Sequence, residues 1–409
     1  MPETLLEKQS PQAAAAAAKL RAWWSHRQGL DGSLTGQSPA AVLRNAGWAR
    51  SVAGVGPYLT LFSRAGTRRE QIDAALANCE IHELPAARGC TYVLPAADFA
   101  LGLSAGQSFA LTEMKVAYKL GVTDDEISVL RAAVTNALAR EPLQPDALKP
   151  ALGDAVRSLG PEGVKKGITT TLPLALGVMQ ADGEIRRIPV NGRLDQQRYK
   201  YALWKPNPFT GWKLDTDQTF TELARHYFRW TGPATLAEFQ WFSGLSLKAV
   251  KAAVAPLSLS PAGDPEDQRW LLPEDRAAFD AFVQPADPQY SLVSSLDGIS
   301  ALRRDAKSLL THKDQSLDFA RAASGLMDLP HHAILDRGRL IGLWEYDTAT
   351  ESIAYACWVP LDSALRDAIA RTETFIREDL GDARSFSLDT PKSRAPKIEA
   401  LRRFSKVSK

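Results

Sequence analysis

The chain has 409 residues, 45% of them hydrophobic and 23% charged, with a net charge of only +2. That length suits about two to four soluble domains, and near-neutrality excludes a polycation, so any polyanion site must come from locally clustered charge. Three widely spaced cysteines (Cys79, Cys90, Cys357) exclude a disulfide framework and a Cys-x-x-Cys metal site; six histidines offer no His-x-x-x-His pair, so neither a metal nor another cofactor is expected.

The N-terminal segment, 1–37, carries an alanine run between Gln12 and Lys19 that predicts a helix. It lacks the bulky apolar core behind a basic start that marks a secretory leader. No stretch approaches the ~20 apolar residues of a membrane span, so the expected location is cytoplasmic and nucleoid-associated. Next, 38–122 shows helical patterns near 39–46, 57–64 and 68–78, a strand at 80–84, a turn at Pro85-Ala86-Ala87 and a strand from Arg88 to Leu94. Ala96-Ala97-Asp98 then starts another helix.

In 123–215 a Thr123-x-x-Glu126 capping box opens a long helix to about 140. Helical patterns follow at roughly 150–158 and 171–182, and then a basic hairpin. From Glu184 to Lys205 there are six cations (Arg186, Arg187, Arg193, Arg198, Lys200, Lys205) against two anions. Asn191-Gly192 reads as the tight turn between its two strands, because Asn-Gly supplies the positive φ angles required. Helix, turn, helix and basic hairpin is the order of a winged helix, in which one helix enters a DNA groove and the wing grips the backbone.

The third segment, 216–284, repeats the order. Thr219-x-x-Glu222 and Thr235-x-x-Glu238 open two helices, Ser243 to Ser246 turns into a third at 247–255, and Arg269 to Pro273 is a returning strand. From 285 to 390 the texture changes to strands at 291–296, 332–335, 339–344 and 354–359, with a turn at Asp336-Arg337-Gly338 and a helix at about 362–379. The tail, 391–409, has seven cations and one anion and is read as a solvated, mobile end, or else as a supplementary phosphate contact.

Five phrases occur in a specific order: Tyr58-Leu-Thr-Leu-Phe-Ser-Arg64, Arg88-Gly-Cys-Thr-Tyr-Val-Leu-Pro95, Gly232-Pro-Ala-Thr-Leu-Ala-Glu-Phe239 with Ser243-Gly-Leu245, Leu292-Val-Ser-Ser-Leu-Asp297, and Arg339-Leu-Ile-Gly342. Together they resemble the tandem winged-helix proteins of the AlkZ-like DNA glycosylase family, over about 38–380. The resemblance implies a mainly α chain with β: three tandem winged helices, then a small C-terminal β-rich, barrel-like domain, arranged around a DNA channel. It also implies action on alkylated or crosslinked bases through a Gln-x-Gln or Gln-x-Asp motif just before the Tyr-Leu-x-Leu helix. Here the corresponding slots are Arg50 and Val52, with Ser51 between them. From Ser38 through Arg69 there is no Gln, Asp or Glu, while five arginines occur. Valine cannot hold a water, and a guanidinium repels a developing sugar cation.

The expected partner is double-stranded DNA, bound by a monomer, with no membrane involved. Arg50, Arg88, Thr91, Tyr92, Arg187, Arg193, Arg198 and Lys200 are the candidate DNA contacts. Arg50 is read as a phosphate or flipped-base contact or a solvated loop residue, and Arg88 as a channel lining or a structural arginine. Tyr92 reads as core or base-stacking, and the four wing cations as backbone contacts or a solvated hairpin. Arg50, Ser51 and Asp297 are the candidate catalytic positions; Asp297 either holds a water or caps the following turn. The resulting expectation is a DNA-binding protein on a glycosylase scaffold, recognising distorted or damaged duplex mainly through phosphates. Alternatives are an active glycosylase using other residues, a winged-helix regulator and a scaffold without DNA.

Overall fold

The computed structural model describes residues 10–195, 198–263, 268–317 and 326–407. The start of the N-terminal segment (1–9) and the last two tail residues lie outside them. The chain is mainly helical, 52% helix and 15% strand, with small antiparallel sheets. None of the described helices is long and apolar enough to cross a membrane.

One order of elements occurs three times. In the first unit it is α2 (Pro39–Ala46), β1 (Ala49–Arg50), α3 (Gly56–Ala65), α4 (Arg69–Ala77), β2 (Ile81–Pro85) and β3 (Thr91–Pro95), following α1 (Pro11–Arg27). After the linking helix α5 (Phe99–Tyr118), the second unit has α6 (Asp124–Leu138), α7 (Pro145–Leu152), an inserted α8 (Gly160–Lys165), α9 (Leu172–Ala181), β4 (Ile185–Pro189) and β5 (Tyr199–Leu203). Its first strand is reduced to a single bridge from Leu143 to Tyr201. The third unit has α10 (Thr216–Thr231), β6 (Ala234–Thr235), α11 (Leu236–Ser243), α12 (Leu247–Val254), β7 (Ser260–Pro261) and β8 (Arg269–Leu271). Each time the first short strand pairs with the last strand of the hairpin: β1-β3-β2, Leu143-β5-β4 and β6-β8-β7.

Helix starts follow local chemistry. Thr123 caps α6 by accepting from the Glu126 N–H at 3.2 Å, and Thr235 with Glu238 closes a capping box on α11. For α10 the box is Asp215 with Gln218, four residues before the expected box of Thr219 with Glu222. The helix expected at 150–158 instead begins at Pro145, which occupies the first turn; Pro150 falls inside it and Gly153, at φ 51°, ends it.

Helix α5 links the units. Phe99, Leu101 and Leu103 bury into a core shared by the first and third units, whereas Met114 and Ala117 bury into the core of the second. The first unit also shares a core with the C-terminal sheet, where Val42, Leu43 and Tyr58 meet Leu292, Ile334 and Ile341.

That sheet corrects one expectation. Strands β9 (Tyr290–Val293), β10 (His332–Asp336), β11 (Arg339–Asp347) and β12 (Ser352–Cys357) form an open antiparallel sheet in the order β12-β11-β10-β9, not a closed barrel. Closure is replaced by cover on both faces. Leu292, Ile334 and Ile341 face the first unit, while Val293, Leu335 and Leu340 face Trp23 and Trp24 of α1. Arg337 (φ 47°) and Gly338 (φ 75°) supply the two left-handed residues of the β10–β11 turn.

The basic tail is likewise not a loose end. Residues Pro391–Val407 form a helix that buries Ile398 and Leu401. Arg394, 2% exposed, pairs with Asp382 at 2.7 Å, and Arg402 pairs with Asp347 at 2.7 Å.

Candidate nucleic-acid interface

The basic hairpin differs from a two-residue Asn-Gly hairpin in a way that builds the site. Its strands end at the pair Pro189–Tyr199, leaving a loop between them. Gly192 takes φ 74° at the start of that loop. The loop is pinned to the first unit because Leu194 is apolar and only 2% exposed, buried in the first unit's core. The Leu194 N–H donates to the Tyr58 hydroxyl at 3.0 Å. Burying one leucine here outweighs the tight turn that Asn-Gly favours in isolation.

Docking the loop brings β4 and β5 against the β1–β3 edge and encloses a cavity of 480 Å³ between the two units. Arg50, Ser51, Val52, Glu83 and Thr91 line it from the first unit, and Arg187 and Tyr199 from the hairpin. The volume falls within the range of small-ligand sites. Arg50 and Ser51 are held by one acceptor. The Thr91 carbonyl receives Arg50 Nη1 at 2.6 Å and the Ser51 N–H at 3.0 Å. The Arg50 guanidinium lies 5.4 Å from the centroid of Tyr92, and that of Arg187 lies 5.0 Å from the centroid of Tyr199.

Glu83, like Tyr199, is a cavity residue that sequence reasoning missed. It sits on β2 opposite Val93, which in turn pairs with Ala49. The Ser51 hydroxyl donates a short hydrogen bond to Glu83 Oε1. Among the described residues no Lys, Arg or His nitrogen lies within ion-pair distance of this carboxylate, although Arg50 and Arg187 share its cavity. His82, the adjacent residue, points to the other face of the strand. It is fully buried at an edge-on distance of 5.1 Å from Trp204, and burial, followed by Arg186 and Arg187, pushes its pKa down to about 3. His82 is therefore a neutral core group.

The loop carrying Ser51 is braced from behind. The Val55 N–H donates to the Arg384 carbonyl at 3.0 Å, and a Cβ on Gly54 would stand 2.1 Å from the Ser385 carbonyl oxygen. Gly54→Ala is therefore expected to lower stability by about 1–3 kcal/mol, since backbone must move to admit the methyl. Thermal unfolding of the variant measures this.

The other candidate residues are dispersed. Tyr92 is 5% exposed and packs edge-on against Phe242 at 6.0 Å, with burial pushing its hydroxyl pKa up to about 12. Arg88 stacks on Trp241 of the third unit, 3.4 Å from the ring centroid, and Arg304 also lies over this ring at 3.9 Å. Arg193 is engaged by Asp195 at 2.9 and 2.5 Å and by the Leu380 carbonyl at 3.1 Å. Arg198 is exposed on the loop and Lys200 half-buried on β5, and among the described residues neither lies within 4 Å of a carboxylate. Asp297 is fully buried, far from solvent. It forms a bidentate ion pair with Arg64 at 2.7 and 2.8 Å and accepts from the Ile299 N–H at 3.1 Å, capping a short helix. Among the described residues, no three His, Cys, Asp or Glu side chains are grouped as metal ligands.

Comparison with known proteins gives a consistent picture. The family model for DNA glycosylase AlkZ-like proteins matches residues 54–376, beginning just beyond the Arg50–Val52 slot. No curated protein sequence matches the chain. The solved structure of the Streptomyces sahachiroi DNA glycosylase AlkZ is similar, with a TM-score of 0.65 and 16% identity. That similarity covers 87% of this chain and 96% of the other.

Proposed function

Because the chain belongs to the AlkZ-like DNA glycosylase family, we propose that it binds duplex DNA as a monomer in the cytoplasm or nucleoid. It recognises distorted or damaged sites and turns one nucleotide toward the 480 Å³ cavity. On this reading each of the three repeated units is a winged helix. The central hairpin does not stand free as a wing but closes the cavity from one side.

The observation that carries the reading is the meeting of Arg50 with Arg187 and Tyr199. These residues lie far apart in sequence and on different units, yet they line one cavity. Two guanidiniums against one carboxylate attract a phosphodiester, and Tyr199 offers a ring face on which a base can stack. Arg198 and Lys200 extend the same charge along the hairpin. Arg88 and Arg193 act structurally, one between the first and third units and the other inside the docked loop.

Affinity should therefore depend mainly on phosphates and fall steeply with salt. Fluorescence anisotropy with a lesion-containing duplex, titrated across salt concentrations, tests this. The double variant Arg50→Ala/Arg187→Ala is expected to weaken binding and to reduce the slope of log affinity against log salt by about 2. Salt-independent binding, or none to any duplex, overturns the proposal.

A further inference from the structure

We propose that Glu83 is the catalytic carboxylate of an N-glycosidic hydrolysis in this cavity, with Ser51 as its positioning residue. This inference rests on the DNA-binding reading above. In the register read from the sequence, Arg50, Ser51 and Val52 offer neither amide nor carboxylate, so on this reading the chemistry needs another acceptor for the attacking water. Glu83 is the only carboxylate lining the cavity among the described residues, and it arrives from β2 rather than from the slot itself.

Its setting suits the task. The Ser51 hydroxyl occupies Oε1 and fixes the side chain, which leaves Oε2 for a water. Ser51 is 1% exposed and is held by its own N–H on the Thr91 carbonyl. The loop behind it is braced by Arg384 and Ser385. The acceptor is thus held on rigid strand and braced loop rather than on a mobile tip. Neither Arg50 nor Arg187 neutralises the carboxylate, because the first is bonded to the Thr91 carbonyl and both lie over tyrosine rings.

The same geometry suits the alkylated bases that the family resemblance implies. Arginine does not serve as a proton donor at neutral pH, so the cavity's cations cannot protonate a neutral leaving base. A purine alkylated at a ring nitrogen already carries positive charge and leaves without a proton. Water attacks C1′ of the sugar and its proton passes to Glu83 Oε2. The C1′–N9 bond breaks with its electron pair going to N9, which neutralises the base. The products are the free alkylated base and an abasic deoxyribose, with no redox change. The ionised carboxylate also stabilises the positive charge that develops on the sugar.

The test uses the full chain and a duplex with one N7-methyl-2′-deoxyguanosine, following base release and alkali-labile abasic sites under single-turnover conditions. In parallel, binding is measured to the 2′-fluoro form of the same nucleotide, which resists hydrolysis. The wild type is expected to release N7-methylguanine faster than buffer. Glu83→Gln should slow release by about 100-fold while its thermal midpoint and its affinity for the fluorinated duplex stay unchanged. Glu83→Asp should recover part of the rate, and Ser51→Ala should fall between. Release by Glu83→Gln at the wild-type rate overturns the assignment. Tight binding of the fluorinated duplex without any release by the wild type overturns hydrolysis but leaves the DNA-binding reading intact, whereas absence of binding overturns both.

Discussion

Replacement of Asp297 by asparagine is expected to lower the free energy of unfolding by about 3–5 kcal/mol. The carboxylate is 0% exposed and its partner Arg64 is 2% exposed, so neither charge can turn to water. Both guanidinium Nη atoms donate to the carboxylate, and Arg64 Nη2 also donates to Gln28 Oε1 at 3.0 Å. The pair thereby joins α1, α3 and the short helix after β9. Asparagine keeps the shape but offers one acceptor oxygen and no charge, which leaves a buried guanidinium uncompensated. Urea denaturation of the variant measures the loss, and wild-type stability would contradict it. A second variant separates the pair's intrinsic worth from the cost of breaking it. Arg64→Met/Asp297→Leu removes both charges and should recover much of the loss, because apolar replacements often match a buried ion pair. If Asp297→Asn proves inactive on alkylated DNA, the double variant shows whether fold or chemistry was lost.

Asp297 also shows where sequence reading reached its limit. A lone aspartate in an apolar strand phrase looks catalytic or capping, and the two readings differ only through a partner that is distant in sequence. Arg64 lies on α3, and nothing local in Leu292 to Asp297 announces it. Glu83 is the converse. Its strand was expected at 80–84, but its closeness to Ser51 depends on the register β1-β3-β2, and β1 is only two residues long. A strand that short leaves no periodic signal. The helices were legible because caps and periodicity are local: α2 and α9 fall close to their expected spans, with Ser38 capping the first and Pro173 in the first turn of the second. The hairpin's sign of charge was legible too, but its docking was not. Leu194 reads as one apolar residue in a polar loop, and only the facing surface of the first unit gives it a place to bury.

The open C-terminal sheet follows the same logic. Four apolar strand phrases do not by themselves distinguish a closed barrel from a sheet covered on both faces, since strand closure depends on which edges pair and not on the strands' own residues. Cover comes from α1 and the first unit, which are remote in sequence. The cationic tail, likewise, looked solvated by composition. Its ordering rests on Asp347 and Asp382, carboxylates that lie outside the tail itself.

Raising the pH from 6 to 10 is expected to destabilise the protein by roughly 3 kcal/mol through one histidine, His226. This residue of α10 lies between Glu222, one turn earlier, and Asp98 at the start of α5. Its Nε2 is 3.4 Å from Asp98 Oδ1 and its Nδ1 is 3.2 Å from Glu222 Oε1. Trp48 fixes the aspartate by donating Nε1 to Oδ2 at 2.8 Å. Burial pulls the imidazole pKa down, but the hydrogen bonds and charges of Asp98 and Glu222 outweigh it and push the pKa up to about 9. In the unfolded chain the group returns to 6.5. A folded value above the unfolded one means that the folded state holds the proton more tightly. The stabilisation is therefore fully present below about 6.5 and is lost as pH rises through about 9. Because Asp98 belongs to the first unit and His226 to the third, deprotonation weakens the contact between them. Denaturation midpoints measured across this range, for wild type and His226→Asn, isolate the contribution: the two curves should differ most at about pH 6 and converge above 9. Parallel curves throughout would show that the histidine carries no such charge. Arg88 and Trp241 bridge the same two units by stacking, which does not titrate in this range, so alkaline loss of stability should precede any loss of that contact.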